Sequence, residues 1–123
     1  MAKSILLIDD DALVLQSLAR LLEKSGYVVK AVKSAKEAID ASLMEEFDLV
    51  ITDIRMPEVD GIQALRYLRE VRRDKGQAQA PEILITGYAK EYEEPAKHIG
   101  AYAMVHKPFQ LEEFLGVVKK ALE

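Results

Sequence analysis

Short apolar runs alternate along the chain with longer stretches in which apolar residues return every three or four positions. "SILLI" (Ser4 to Ile8) predicts a first strand, and Val14, Leu18, Leu21 and Leu22 make the apolar stripe of a helix that Gly26 stops. A second strand is predicted over Tyr27 to Val32, with Lys30 suiting an edge. "SAKE" (Ser34 to Glu37) has the spacing of a capping box and opens a second helix. A third strand is expected over Asp48 to Asp53, then a helix after Gly61 carrying Ile62, Leu65, Leu68 and Val71. Arg72 to Pro81 reads as a polar loop, and Arg66 to Lys75 as a solvated helix face. Strands follow over Glu82 to Thr86 and Ala103 to His106. Leu111, Phe114, Leu115, Val118 and Leu122 line one face of a last helix. Strands alternating with helices predict an α/β fold, a doubly wound five-stranded parallel sheet. The first, third and fourth strands are the most apolar and belong in the middle.

In such sheets ligands bind at the carboxyl ends of the strands. Those ends carry Asp9 and Asp10, then Asp53, then Thr86, then Lys107. Three carboxylates gathered there cannot all stay ionised without a cation. With oxygen donors and no nearby His or Cys, the expected ion is Mg²⁺ or Mn²⁺. A lysine and a hydroxyl opposite them suit phosphate oxygens, and a carboxylate can itself accept a phosphoryl group. Asp11 reads more simply as an acid favoured at a helix N-terminus.

The chain has 123 residues, half of them hydrophobic and 31% charged, which suits a single soluble domain spanning 1–123. The net charge of -4 argues against a general nucleic-acid surface. No cysteine is present, which rules out disulfides and thiolate metal sites and sits easily with a cytoplasmic location. The opening "MAKSILLIDD" lacks the long apolar region of a signal peptide, and no stretch is long enough to cross a membrane.

"LLIDDD", "DIRMPEVDG", "ITGYA" and "HKPF" resemble, in order and spacing, the motifs of response-regulator receiver domains. The resemblance covers essentially the whole chain. It implies the flavodoxin-like strand order 2-1-3-4-5, with helices on both faces. It also implies that Asp53 is the phosphoacceptor, and that Asp9, Asp10, Asp53 and the backbone carbonyl of Arg55 hold Mg²⁺. Thr86 and Lys107 would contact the phosphoryl group, and the Lys107–Pro108 peptide would be cis. Met56, Pro57, Asp60 and Gly61 match the loop that shapes the site. The implied donor is a sensor histidine kinase or phosphotransfer protein. The implied response is a change in the face built from helix four, strand five and helix five, where an effector docks or a phosphorylation-dependent homodimer forms. Neither nucleic acid nor membrane is expected to bind this domain directly.

Three positions depart from the family pattern. Met104 stands where a switching Tyr or Phe is usual. Pro95 falls in the middle of the expected fourth helix, Ala89 to Gly100, and predicts a kinked, late-starting or partly unwound segment. Arg55 and Tyr88 each lie two residues beyond a site residue, a placement expected to slow loss of the phosphoryl group. Rival functions remain at this point. A haloacid-dehalogenase-like phosphatase would need an Asp where Arg55 stands, and a flavin carrier would need a hydroxyl- and glycine-rich loop after the first strand. A degenerate receiver would bind partners without being phosphorylated.

Overall fold

Burial sorts the strands as the apolar pattern requires. The computed structural model describes residues 2–87 and 90–123. Every residue of β3 (Leu49–Asp53) and β4 (Glu82–Thr86) is buried, as are four of the five in β1 (Ser4–Ile8). In β2 (Val28–Val32) only Val32 is fully buried, which marks an edge. β5 (Ala103–His106) forms the other edge. All pairings are parallel, and the order is β2-β1-β3-β4-β5.

Side chains alternate across each strand and so build two cores. Leu6 and Ile8 point to the layer of α2 (Ala35–Met44), α3 (Gly61–Asp74) and α4 (Glu93–Ile99), where they meet Ala38, Leu65, Leu68 and Ile99. Ile5 and Leu7 point to α1 (Ala12–Lys24) and α5 (Leu111–Ala121), meeting Leu18, Leu22, Phe114 and Val118. Each large side chain withdrawn from water contributes about 1.5–3 kcal/mol before ordering costs, so both faces hold the sheet firmly.

Helix ends follow local chemistry. The Asp11 carboxylate accepts from the Leu13 and Val14 amides and caps α1, as its position suggested. Gly26, with φ 97°, turns the chain out of α1. At α2, Ser34 accepts from the Glu37 amide while Glu37 accepts from the Lys33 amide. The fourth helix starts late, as expected, after a 3₁₀ turn at Lys90–Tyr92. Pro95 is consequently not mid-helix but the third residue of α4. There a missing N–H costs little, because first-turn amides have no partner within the helix.

Other expectations need correction. Tyr27 and Asp48 lie just outside their strands; Asp48 instead accepts from the Ser4 amide at 2.8 Å. Arg72 to Asp74 continue α3 rather than opening a loop, and Arg72 is buried rather than solvated. Leu111 is 54% exposed, so the apolar face of α5 is narrower than its sequence suggested. Among the described residues no helix is long and apolar enough to cross a membrane.

Candidate functional site

Parallel pairing carries the ends of β1, β3, β4 and β5 to one rim. The Asp9 amide donates to the Val32 carbonyl at 3.1 Å, the Ile54 amide to Ile85, and the Lys107 amide to Thr86 at 2.7 Å. The residues just after each strand are thereby held by the neighbouring strand, and their side chains converge without any loop having to search for them.

Carboxylate oxygens of Asp9, Asp10 and Asp53 lie within 4.8 Å of one another. Asp9 and Asp53 are buried, whereas Asp10 is exposed. One oxygen of Asp9 accepts from the Asp11 amide at 2.9 Å; the other, Oδ2, is buried with no hydrogen-bond partner among the described residues. Asp53 Oδ1 accepts from the Ile54 amide at 3.1 Å, and the Lys107 ammonium lies 3.4 Å from Oδ2. Burial pushes both the Asp9 and Asp53 carboxyls above the usual carboxylate range. Asp53 is pulled part of the way back by Lys107, and Asp9 by the Asp11 amide. One ammonium does not balance three carboxylates. An orphaned, buried carboxylate oxygen among oxygen-only donors fits a hard divalent cation.

The loop after β3 is shaped by a close approach. A Cβ on Gly61 would overlap the Asp53 carbonyl oxygen, so no larger residue fits without moving the Asp53 backbone. The Gly61 amide donates to the Ile54 carbonyl at 2.8 Å, and the Asp60 side chain caps α3 through the Gln63 amide. Glu58 adopts a left-handed φ of 68°, a conformation uncommon outside glycine. Turn chemistry was expected for this loop, but the steric demand at Gly61 comes only from packing.

The remaining predicted residues fall as follows. Thr86 ends β4 buried, its hydroxyl donating to the Gly87 carbonyl at 2.6 Å. Met104 pairs in register with Leu84 and packs, half-buried, on the core that contains Ala96 and Ile99. The Lys107–Pro108 peptide is cis. Arg55 directs an exposed side chain outward. Tyr88 lies outside the described residues, as does Ala89. Sequence reasoning missed a buried cluster at the other end of the sheet, where Arg69 and Arg72 meet Glu82. A lone Glu heading an apolar strand was the available signal.

Comparison with known proteins agrees with this geometry. The response regulator receiver domain family matches residues 5–119. The chain belongs to that family. It is 31% identical over 123 residues to the polar-differentiation response regulator DivK of Brucella ovis, covering 99% of this chain and 98% of that one. The C4-dicarboxylate transport transcriptional regulatory protein DctD of Pseudomonas aeruginosa is 37% identical over 120 residues. That match takes in 97% of this receiver but only 25% of DctD. Among solved structures, a CheY-like response regulator receiver domain protein from Methanospirillum hungatei superimposes with a TM-score of 0.87. It is 31% identical, and the match covers 99% of this receiver and 94% of that chain. Receiver domains accept a phosphoryl group on an aspartate in two-component signalling and bind Mg²⁺ at an acidic pocket.

Proposed function

We propose that this receiver, acting as one domain over residues 1–123, takes a phosphoryl group onto Asp53 from the phosphohistidine of a sensor histidine kinase or phosphotransfer protein. The observation that carries this reading is the pairing of Asp53 with Lys107 at 3.4 Å beside Asp9 and Asp10. The Asp53 carboxylate attacks phosphorus in line, the P–N bond breaks, and the histidine nitrogen keeps the electron pair. Lys107 meets a developing equatorial oxygen, and the Thr86 hydroxyl exchanges the Gly87 carbonyl for another. Asp9, Asp10, Asp53 and the Arg55 carbonyl are the residues to hold Mg²⁺ or Mn²⁺. The ion supplies neutralisation of charge on the phosphoryl oxygens.

The product carries nearly two negative charges where the carboxylate carried one, at a rim already rich in carboxylates. Thr86 reorients toward them, and the change passes through Met104 to α4, β5 and α5, where an effector or a second copy docks. A flexible thioether couples less rigidly than an aromatic ring. The domain is a switch located in the cytoplasm, not a turnover enzyme; its only catalysis is on its own phosphorylation and hydrolysis.

Intact-protein mass spectrometry after incubation with acetyl phosphate tests the reading. A single adduct that needs Mg²⁺ and is absent from Asp53→Asn is the expected result. An adduct that survives Asp53→Asn would move the acceptor elsewhere. Failure to bind either the phosphoryl group or beryllofluoride would leave a degenerate receiver.

A further inference from the structure

At the end of the sheet away from Asp53, α3, the start of β4 and the α4–β5 turn line a solvent-open cleft of about 460 Å³. Arg69, Arg73 and Gln79 supply its polar wall, and Pro81, Ile99 and Tyr102 its apolar wall. Glu82 also lines it, but this carboxylate is already engaged. Arg69 Nε lies 3.1 Å from each of its oxygens, and Arg69 Nη2 donates to Oε1. Arg72, 3% exposed, reaches no closer than 3.8 Å to Glu82 Oε2, and neither of its terminal nitrogens has a hydrogen-bond partner among the described residues. Arg72 does not line the cleft, but it competes for the carboxylate that does.

Two guanidiniums, those of Arg69 and Arg72, therefore share one carboxylate. An unpaired buried cation is costly, and its charge adds to that of Arg69 and Arg73 beside the cleft. Arg73 stands exposed at the cleft with no acidic partner within salt-bridge distance among the described residues. The Gln79 amide donates to the Arg69 carbonyl at 3.1 Å and ties the α3–β4 connection across the site. Opposite the cations, the Tyr102 ring is 52% exposed and offers a flat apolar surface. The volume lies within the range of small-molecule sites.

We propose that this cleft binds a small organic anion, its phosphate or carboxylate on Arg73 and the outer edge of Arg69 and its flat apolar body against Tyr102 and Pro81. Guanidinium groups recognise either anion through paired N–H donors, so the two share one chemistry here. The site lies apart from Asp53, and its existence does not depend on the phosphoacceptor reading.

The test is an amide-resolved NMR titration of the full chain without divalent metal, using phenyl phosphate, benzoate, inorganic phosphate and benzylamine. Saturable shifts at Gln79, Glu82, Gly100 and Tyr102 with phenyl phosphate or benzoate support the proposal, and the tighter of the two identifies the anionic group. Binding should weaken at least tenfold in Arg73→Glu and return only in part in Arg73→Lys, which restores the charge but not the paired donors. Arg73 is exposed, so these variants should keep the fold. Shifts that do not saturate, that persist in Arg73→Glu, or that benzylamine reproduces equally would overturn it. Inorganic phosphate binding as tightly as phenyl phosphate would overturn the role of the apolar wall.

Discussion

The two ends of the sheet carry opposite electrostatic imbalances. At the carboxyl end, three carboxylates face one ammonium; at the amino end, two guanidiniums share one carboxylate and a third, Arg73, stands nearby without an acidic partner among the described residues. The groups also differ in how they are held. Asp9 and Asp53 each accept one backbone amide and stand beside the exposed Asp10. Arg72 is buried, and Glu82 is met by two arginines from one helix. The carboxyl end is organised for exchange with solvent. At the amino end the charges also join α3 to β4, so breaking them should cost stability before it costs signalling.

The largest effect should come from Glu82→Ala, which leaves Arg72 buried with no counter-charge. Denaturant unfolding should show a loss of about 3–5 kcal/mol, whereas Arg72→Met, which removes the orphaned cation and leaves Arg69 with Glu82, should change stability by less than about 1.5 kcal/mol. Equal losses in the two variants would mean that Arg72 is better satisfied than its geometry indicates. At the carboxyl end, Gly61→Ala should cost about 1–3 kcal/mol by forcing a methyl group against the Asp53 carbonyl. If Asp53 accepts the phosphoryl group as proposed, it should also slow phosphorylation by acetyl phosphate, because the Asp53 backbone must move. Wild-type rates in that variant would show that the loop yields without disturbing Asp53.

The smallest effect has the opposite sign. Asp53 has a native pKa above its unfolded value, so the folded state binds the proton more tightly. Its contribution to stability is complete below the ordinary carboxylate range and is lost as pH rises through the native value. Without metal at neutral pH, Asp53→Asn should therefore raise stability and Tm, by less than the two losses above. The gain should shrink as pH falls toward the ordinary carboxylate range, and Mg²⁺ should narrow it by stabilising the wild type. A variant less stable than wild type in metal-free buffer would show that Lys107 outweighs the burial of Asp53.

The carboxyl end was readable in advance because its residues sit immediately after apolar strands. Asp9, Asp53, Thr86 and Lys107 are each marked by the place where a short buried run stops. Parallel topology then brings all such endings to one side. The amino end was hidden for a related reason. Arg69 and Arg72 belong to a polar helical stretch, and 13 residues separate Arg69 from Glu82. A helical repeat tells which face is apolar, but not whether a charged residue beside that face finds a buried partner. Pro95 teaches the same point about boundaries: the residue announced a disturbance, and only packing decided that the helix begins at Glu93.

By itself, then, the sequence determined the alternation of strands and helices, the central strands, the caps at Asp11 and Ser34, and the set of residues that meet at the carboxyl rim of the sheet. These follow from periodicity and from chemistry within a few residues. Tertiary structure decided the Gly61 contact with Asp53, the orphaned oxygen of Asp9 and the sharing of Glu82 between two arginines. Each depends on distances between segments far apart in the chain. Burial and close packing set those distances, and no local pattern of residue types encodes them.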